Sequence, residues 1–257
     1  MPTVSIITAT FNSQRHLSEC IDSVSIQDYP NVEHIVIDGA SKDGTVDMLR
    51  MRDTEIEQWV SEPDKGIFDA WNKGVNLARG TWIAFLGSDD AYLPGAISRY
   101  MELALQNPEA EFLASRAQLV HASGYSPIFG AQWTWPACAR ELTTINVGTM
   151  HSRSLFERYG RFDTSYRSAA DYEFLLRAGK NLQTAFMPNV TVKMRAGGAS
   201  ESTANLYERR RAKISRDVRS VSAAGVDLLA DVFKFYARRT ILALWALRPI
   251  RRRSNHQ

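Results

Sequence analysis

Three observations predict an α/β fold built on a Rossmann-like, mostly parallel sheet flanked by helices. Short apolar runs recur through the first hundred residues, each followed by a polar turn and then by apolar residues at helical spacing. Strands that alternate with helices in this way pair in parallel through right-handed crossovers. Acids and small polar residues fall where the strands should end, and in open α/β sheets that edge binds ligands.

The elements follow in order. Val4-Ser5-Ile6-Ile7-Thr8-Ala9 reads as the first strand, and Asn12-Ser13 caps a helix carrying Leu17, Cys20, Ile21 and Val24 on one face. Residues 32–37 form a second strand that ends at Asp38-Gly39, with a helix from about Thr45. A third strand is expected near 58–60, a helix over 67–77, and a fourth strand over Trp82-Ile83-Ala84-Phe85, ending at Gly87-Ser88-Asp89-Asp90. Residues 111–150 are less regular, with Phe112-Leu113-Ala114, Gln118-Leu119-Val120 and Trp133-Thr134-Trp135-Pro136 read as a mixed sheet edge with loops. Short helices are predicted over 155–159 and 170–178. The expected organisation is 1–204 as one catalytic unit, split near 100 into a nucleotide half and an acceptor half, followed by a basic helical extension over 205–257.

Composition narrows the function classes. With 257 residues, 44% of them hydrophobic, the chain can bury a sizeable core. Cys20 and Cys138 match neither a metal-ligand spacing nor a disulfide framework, which fits a reducing compartment and a cytoplasmic location. The amino terminus reads as a strand, without the basic and long apolar regions of a secretory signal. Of the 31 Lys/Arg, 13 lie after residue 204 beside only 4 of the 28 Asp/Glu, so the body is acidic and the extension basic. An acidic body argues against nucleic acid as a partner.

Three segments can carry chemistry. Paired acids directly after a buried strand, Asp89-Asp90, can bind a divalent cation through hard oxygen ligands, or one of them can simply cap the helix beginning near Pro94. Asp38-Gly39-Ala40-Ser41-Lys42-Asp43-Gly44-Thr45 fits either a nucleotide-binding turn or an ordinary strand-turn-helix connection. Residues 61–74 crowd Glu62, Asp64, Asp69, Asn72 and two glycines around a helix that needs only one cap.

These segments in this order resemble the family 2 glycosyltransferases of the GT-A fold: Thr8 to Ser13, Asp38 to Thr45, Ser61 to Gly74, and Phe85 to Asp90. Gly160-Arg161-Phe162-Asp163 and Ala170 to Arg177 resemble the family's acceptor-side segment. The resemblance implies a metal-dependent, inverting transferase that moves one sugar from a nucleotide-diphosphate sugar to a glycan hydroxyl in bacterial surface-polysaccharide biosynthesis. It assigns Thr8, Asp38, Asp64 and Asn72 to the nucleotide pocket, Asp89 to the ribose or sugar, and Asp90 to Mn²⁺ or Mg²⁺ on the diphosphate. Asp171 is implied as the base that takes the acceptor proton, with a helix-start position favouring its ionised form and an N-cap as the plain alternative. Glu173 is the rival base, and His151 is a candidate for the acceptor side. A UDP-sugar is the leading donor, with GDP- and dTDP-sugars as alternatives. Many relatives carry Asn where Gly87 stands. The Gln-x-x-Arg-Trp segment of processive synthases is missing, which implies a single transfer.

Other features stay open. Trp133 and Trp135 suit stacking on a sugar or packing in the core. Gly197-Gly198-Ala199-Ser200 resembles a loop that closes over the diphosphate. From Asp227 to Leu247 apolar residues recur at helical spacing among Lys234, Arg238 and Arg239, with Arg248 and Arg251-Arg252-Arg253 beyond. The longest apolar run there is far shorter than the ~20 residues of a spanning helix. This tail is expected either to lie on the anionic inner face of the cell membrane, as would suit a polyprenyl-linked acceptor, or to pack on protein. Alternative readings are a nucleotidyltransferase acting on a sugar phosphate, or an inactive transferase-like assembly partner at the membrane.

Overall fold

The computed structural model describes residues 3–198 and 202–246. Strands β1 (Val4–Thr10), β2 (Val32–Asp38), β3 (Gln58–Ser61) and β4 (Trp82–Gly87) alternate with helices α1 (Leu17–Ser25), α2 (Thr45–Met51) and α3 (Ile67–Leu77). All three pairings among these strands are parallel, in the order β3-β2-β1-β4. Then follow β5 (Ala91–Tyr92), α4 (Ala96–Gln106), β6 (Phe112–Val120), β7 (Ile128–Phe129), the short α5 (Trp135–Cys138), β8 (Thr149–Ser152), α6 (Arg153–Tyr159) and α7 (Ala170–Ala178). The chain continues through β9 (Thr184–Arg195), α8 (Thr203–Ser215) and α9 (Val221–Ala246). β8 and β6 join antiparallel beyond β4, β9 lies parallel to β6, and the nine-stranded sheet ends at β5, with β7 pairing off β6.

Central strands are buried on both faces, which is why they read as apolar runs without alternation. On β4, Ile83 and Phe85 enter one core with α3, α6 and α7, while Trp82, Ala84 and Leu86 enter the other with α1 and α4. α3 lies tight on the sheet because Gly74 has no side chain. A Cβ there would sit 2.2 Å from Ile7 Cγ2. Both predicted tryptophans join the first core, Trp133 as a buried residue and Trp135 packed against it.

Two strands differ from the sequence expectation. The separate runs Phe112-Leu113-Ala114 and Gln118-Leu119-Val120 are one strand, interrupted by a bulge in its pairing with β9 around Arg116. β9 itself was not expected, because Pro188, Asn189 and Lys193 break any alternation along it. The helical extension divides in two, and the anticipated boundary at 204/205 falls within α8. Along α9 one face is turned inward, with Ala224 and Asp231 buried. The opposite face exposes Val226, Leu229, Phe233 and Tyr236. Leu242, Leu244, Trp245 and the terminal arginines lie outside the residues whose side chains are described, as do Ala199 and Ser200 of the glycine loop.

Candidate active site

The carboxyl end of β4 holds the paired acids. Neither caps α4, which begins at Ala96 behind Gly95 without a side-chain cap. Asp90 is 6% exposed, and its Oδ1 accepts a hydrogen bond of 3.0 Å from the backbone N–H of Arg195 at the end of β9. Burial first, and the Asp89 charge second, push its carboxyl up to about 7. Gly87 completes the turn, because a Cβ there would meet Asp90 Oδ2 at 2.6 Å and Asp89 Oδ1 at 3.0 Å. Any side chain at position 87 would therefore push against both carboxylates.

Asp171 reaches the same cavity from the first turn of α7. A cavity of about 410 Å³ is lined by Gly87, Asp89, Asp90 and Asp171 together with Arg195 and Arg209. Asp171 is only partly buried, but the surrounding protein pushes its carboxyl up to about 6, against the pull of a backbone N–H from Tyr172 and of the Arg209 charge. The helix start therefore does not dominate, as the sequence reading had it. Burial does, although a carboxyl at about 6 is still mostly ionised at neutral pH. Ala169 is the N-cap of α7, so Asp171 is not a cap. α7 carries no side-chain cap, and Glu208 of α8 instead fixes the turn before it, its carboxylate accepting from the backbone N–H groups of Arg167, Ser168 and Ala169. Nothing in the Arg-rich run 207–211 marked Glu208 beforehand.

Several expected site residues are placed elsewhere. Thr8 is fully enclosed, 3.0 Å from His34 Nε2, so its side chain cannot reach a donor. Asn72 bonds both the N–H and the C=O of Phe162, stapling α3 to the segment before α7. His151 is 2% exposed among Phe85, Phe112, Phe156 and Phe174, and burial pushes it down to about 3, which makes it a neutral core residue. Glu173 is fully buried in ion pairs with Arg177 and Arg216 and is therefore not an available base. Asp38 has no exposed surface, and its carboxylate accepts from the N–H and hydroxyl of Ser41 and from the hydroxyl of Ser61. It shapes the β2 turn.

What faces outward beside that turn is Gly39, packed under Asp64 Oδ2 and the Phe11 ring, with Phe11 63% exposed. Phe11 was missed, although an aromatic inside the polar loop after β1 was a visible signal. β2 lies two strand spacings, about 10 Å, from β4, which explains why Asp64 is absent from the cavity of Asp90. Four buried donors of residues that line the cavity also lack partners: the indole N–H of Trp71, the hydroxyl of Thr143, the side-chain amide nitrogen of Asn146 and Nε of Arg209.

The description Glycosyl transferase family 2 matches residues 5–123, the part that carries β1 to β4 and the acid pair. A glycosyltransferase of Mycobacterium tuberculosis is 33% identical over 184 residues, covering 69% of each chain. The chain belongs to glycosyl transferase family 2. A PGL/p-HBAD biosynthesis glycosyltransferase of Mycobacterium bovis is 27% identical over 207 residues, 79% of this chain and 80% of that one. This family-2 enzyme transfers sugars, which removes the nucleotidyltransferase alternative. Its fold is that of S. aureus TarS 1-349 in complex with UDP-GlcNAc (TM-score 0.67, 16% identity, 88% of this chain and 70% of that one). It is also that of the Pyrobaculum calidifontis mannosyltransferase in complex with GDP-Man and Mn²⁺ (TM-score 0.64, 19% identity, 96% and 81%). Against the longer TarS chain, the sequence spans 42% of its length. These GT-A glycosyltransferases share the curled sheet, so the family-2 chain is a GT-A protein in fold.

Proposed function

We propose that this family-2 enzyme moves one sugar from a nucleotide-diphosphate sugar to an acceptor hydroxyl, with inversion at the anomeric carbon. The observation that carries the reading is the convergence of Asp89, Asp90 and Asp171 on one cavity from positions more than eighty residues apart. Nucleotide sugars in the two structural neighbours support it.

The donor would run from the Phe11, Gly39 and Asp64 surface, for the nucleobase and ribose, across β1 to the acids of β4. A uridine donor is the leading choice. The residues fit a divalent cation: a buried carboxylate held near neutrality of charge by burial and a neighbouring acid gains from a cation, and Mg²⁺-like ions accept one or two carboxylates with phosphates and waters completing the shell. Among the described residues no third carboxylate, His or Cys joins the pair, so Asp90 with Asp89 beside it would hold Mn²⁺ or Mg²⁺ against the diphosphate. When bound, the cation offsets charge growing on the leaving diphosphate.

Asp171 takes the proton of the acceptor hydroxyl while that oxygen bonds to the anomeric carbon and the bond to the diphosphate oxygen breaks. A single displacement of this kind inverts the centre. The acceptor is a lipid-linked glycan of surface-polysaccharide assembly, and the exposed apolar face of α9, with basic residues beside it, rests on an anionic membrane surface. Among the described residues no helix is long and apolar enough to cross a membrane. Calorimetry of UDP, GDP and dTDP with and without Mn²⁺ tests the donor side. Mn²⁺-dependent binding of one nucleotide that Asp90→Ala abolishes is the expected result, and affinity unchanged by either manipulation refutes it.

A further inference from the structure

A second cavity, of about 620 Å³, lies between α9 and the β6–β7 ribbon. It shares Leu119, Phe129, Leu142, Asn205 and Arg209 with the cavity of Asp171, so the two adjoin. Pro127, Leu206, Phe235 and Ile241 form an apolar stretch of its wall, among His121, Tyr125, Ser202 and the charged side chains. The charged groups facing it are not balanced. Lys234 is answered by Glu141 at 2.7 Å, and Arg209 meets Asp231 only at 3.8 Å while its buried Nε stays unpaired. Arg239 stacks on Phe235 and forms no ion pair with another described residue.

We propose that this cavity holds the aglycone of the acceptor, a single apolar chain joined to the acceptor sugar through an anionic group. The inference rests on the transferase reading and extends it to the acceptor. The order along the two cavities matches such a molecule from end to end. The reacting hydroxyl meets Asp171, the anionic link meets Arg209 at the throat, and the chain runs along Leu206 and Phe235 to leave past Ile241. An unpaired guanidinium donor beside an apolar stretch of wall selects an anion with an apolar substituent, since an inorganic anion would leave that stretch wet. α9 thereby forms a wall of the acceptor site.

Calorimetry on the 257-residue chain tests the assignment, using decyl phosphate below its micelle-forming concentration, decyl glucoside and inorganic phosphate. Decyl phosphate should bind more tightly than either other probe. Phe235→Glu and the more exposed Ile241→Glu should each weaken it by about tenfold or more, the scale of losing a buried aromatic or aliphatic contact. Arg209→Gln should weaken decyl phosphate while leaving decyl glucoside unchanged. UDP binding with Mn²⁺ should survive Phe235→Glu and Ile241→Glu, which verifies that both variants are folded. Equal decyl phosphate affinity across wild type and both glutamate variants, or inorganic phosphate binding as tightly as decyl phosphate, overturns the proposal. Loss of nucleotide binding in the wild type overturns the donor reading instead, without touching the Phe235 dependence.

Discussion

Asp171 and Glu173 stand two residues apart on α7 and do opposite work. Asp171 opens into the cavity, and Glu173 is locked in a buried ion-pair cluster with Arg177 and Arg216. Asp171→Asn should lower kcat by ~10²- to 10⁴-fold with little change in donor affinity, the range of a positioned general base. Its pH behaviour separates a base from a structural residue. A carboxyl raised from its ordinary value of 3.8 to about 6 in the fold binds its proton more tightly folded than unfolded. Stability therefore falls as pH rises from about 4 to about 6, and the cost persists above that window. Activity should rise from about pH 5 to about pH 7, with a midpoint near 6, and Asp171→Asn should be more stable than wild type at pH 8 by roughly 1–2 kcal/mol after allowing for partial exposure, read as a higher Tm. Lower stability of the variant at pH 8 would return Asp171 to a structural role. Glu173→Ala should instead lose roughly 3–5 kcal/mol, read as a fall in Tm, because it strands Arg177 in a partly buried site.

At the scale of elements, the packing of α3 on β1 is the tightest joint described. Gly74→Ala should cost roughly 1–3 kcal/mol as an overpacked core, lowering Tm by several degrees, because the methyl group must displace Ile7. An unchanged Tm would mean that α3 shifts freely. The elements legible in the sequence were those buried on both faces or one-sided with clean spacing: β1, β2, β4, α3 and α7. β9 was not legible, because its pairing sets the pattern and its side chains alternate between core, solvent and the acid site. The acids themselves were legible as strand-end residues. Burial was not: Thr8, Asn72, His151 and Glu173 have suitable chemistry, and only three-dimensional packing turns them into a helix-facing hydroxyl, a loop staple, a core imidazole and an ion pair. Arg209 and Glu208 were hidden for the converse reason, since one basic run contains a cavity residue, an acid that fixes the turn before α7 and an arginine, Arg211, laid over the Tyr166 ring.

The whole molecule decides how the tail can be removed. Asp227 of α9 pairs with Lys213, which is 1% exposed, and with Arg219. Deleting 226–257 should therefore leave a buried ammonium unpaired and lower Tm sharply, confounding any membrane measurement. Leu229→Glu with Phe233→Glu on the exposed face keeps the Asp227 and Asp231 pairs, and the proposed membrane contact predicts that this variant weakens binding to anionic liposomes while leaving the melting temperature within a few degrees. Equal liposome binding by both forms would confine α9 to its protein contacts.

The bond from Arg195 to Asp90 spans 105 residues and has a consequence for biogenesis. As the chain leaves the ribosome, β1 to β4 emerge first with the flank of β4 that later takes β8 still unpaired, an open edge of the kind that invites aggregation. The acid is fixed only once β9 has been made, long after the segment that carries it. A nascent chain stalled near residue 123 would thus hold the family's recognisable signature and yet be a client for chaperones, with its acid pair still unset.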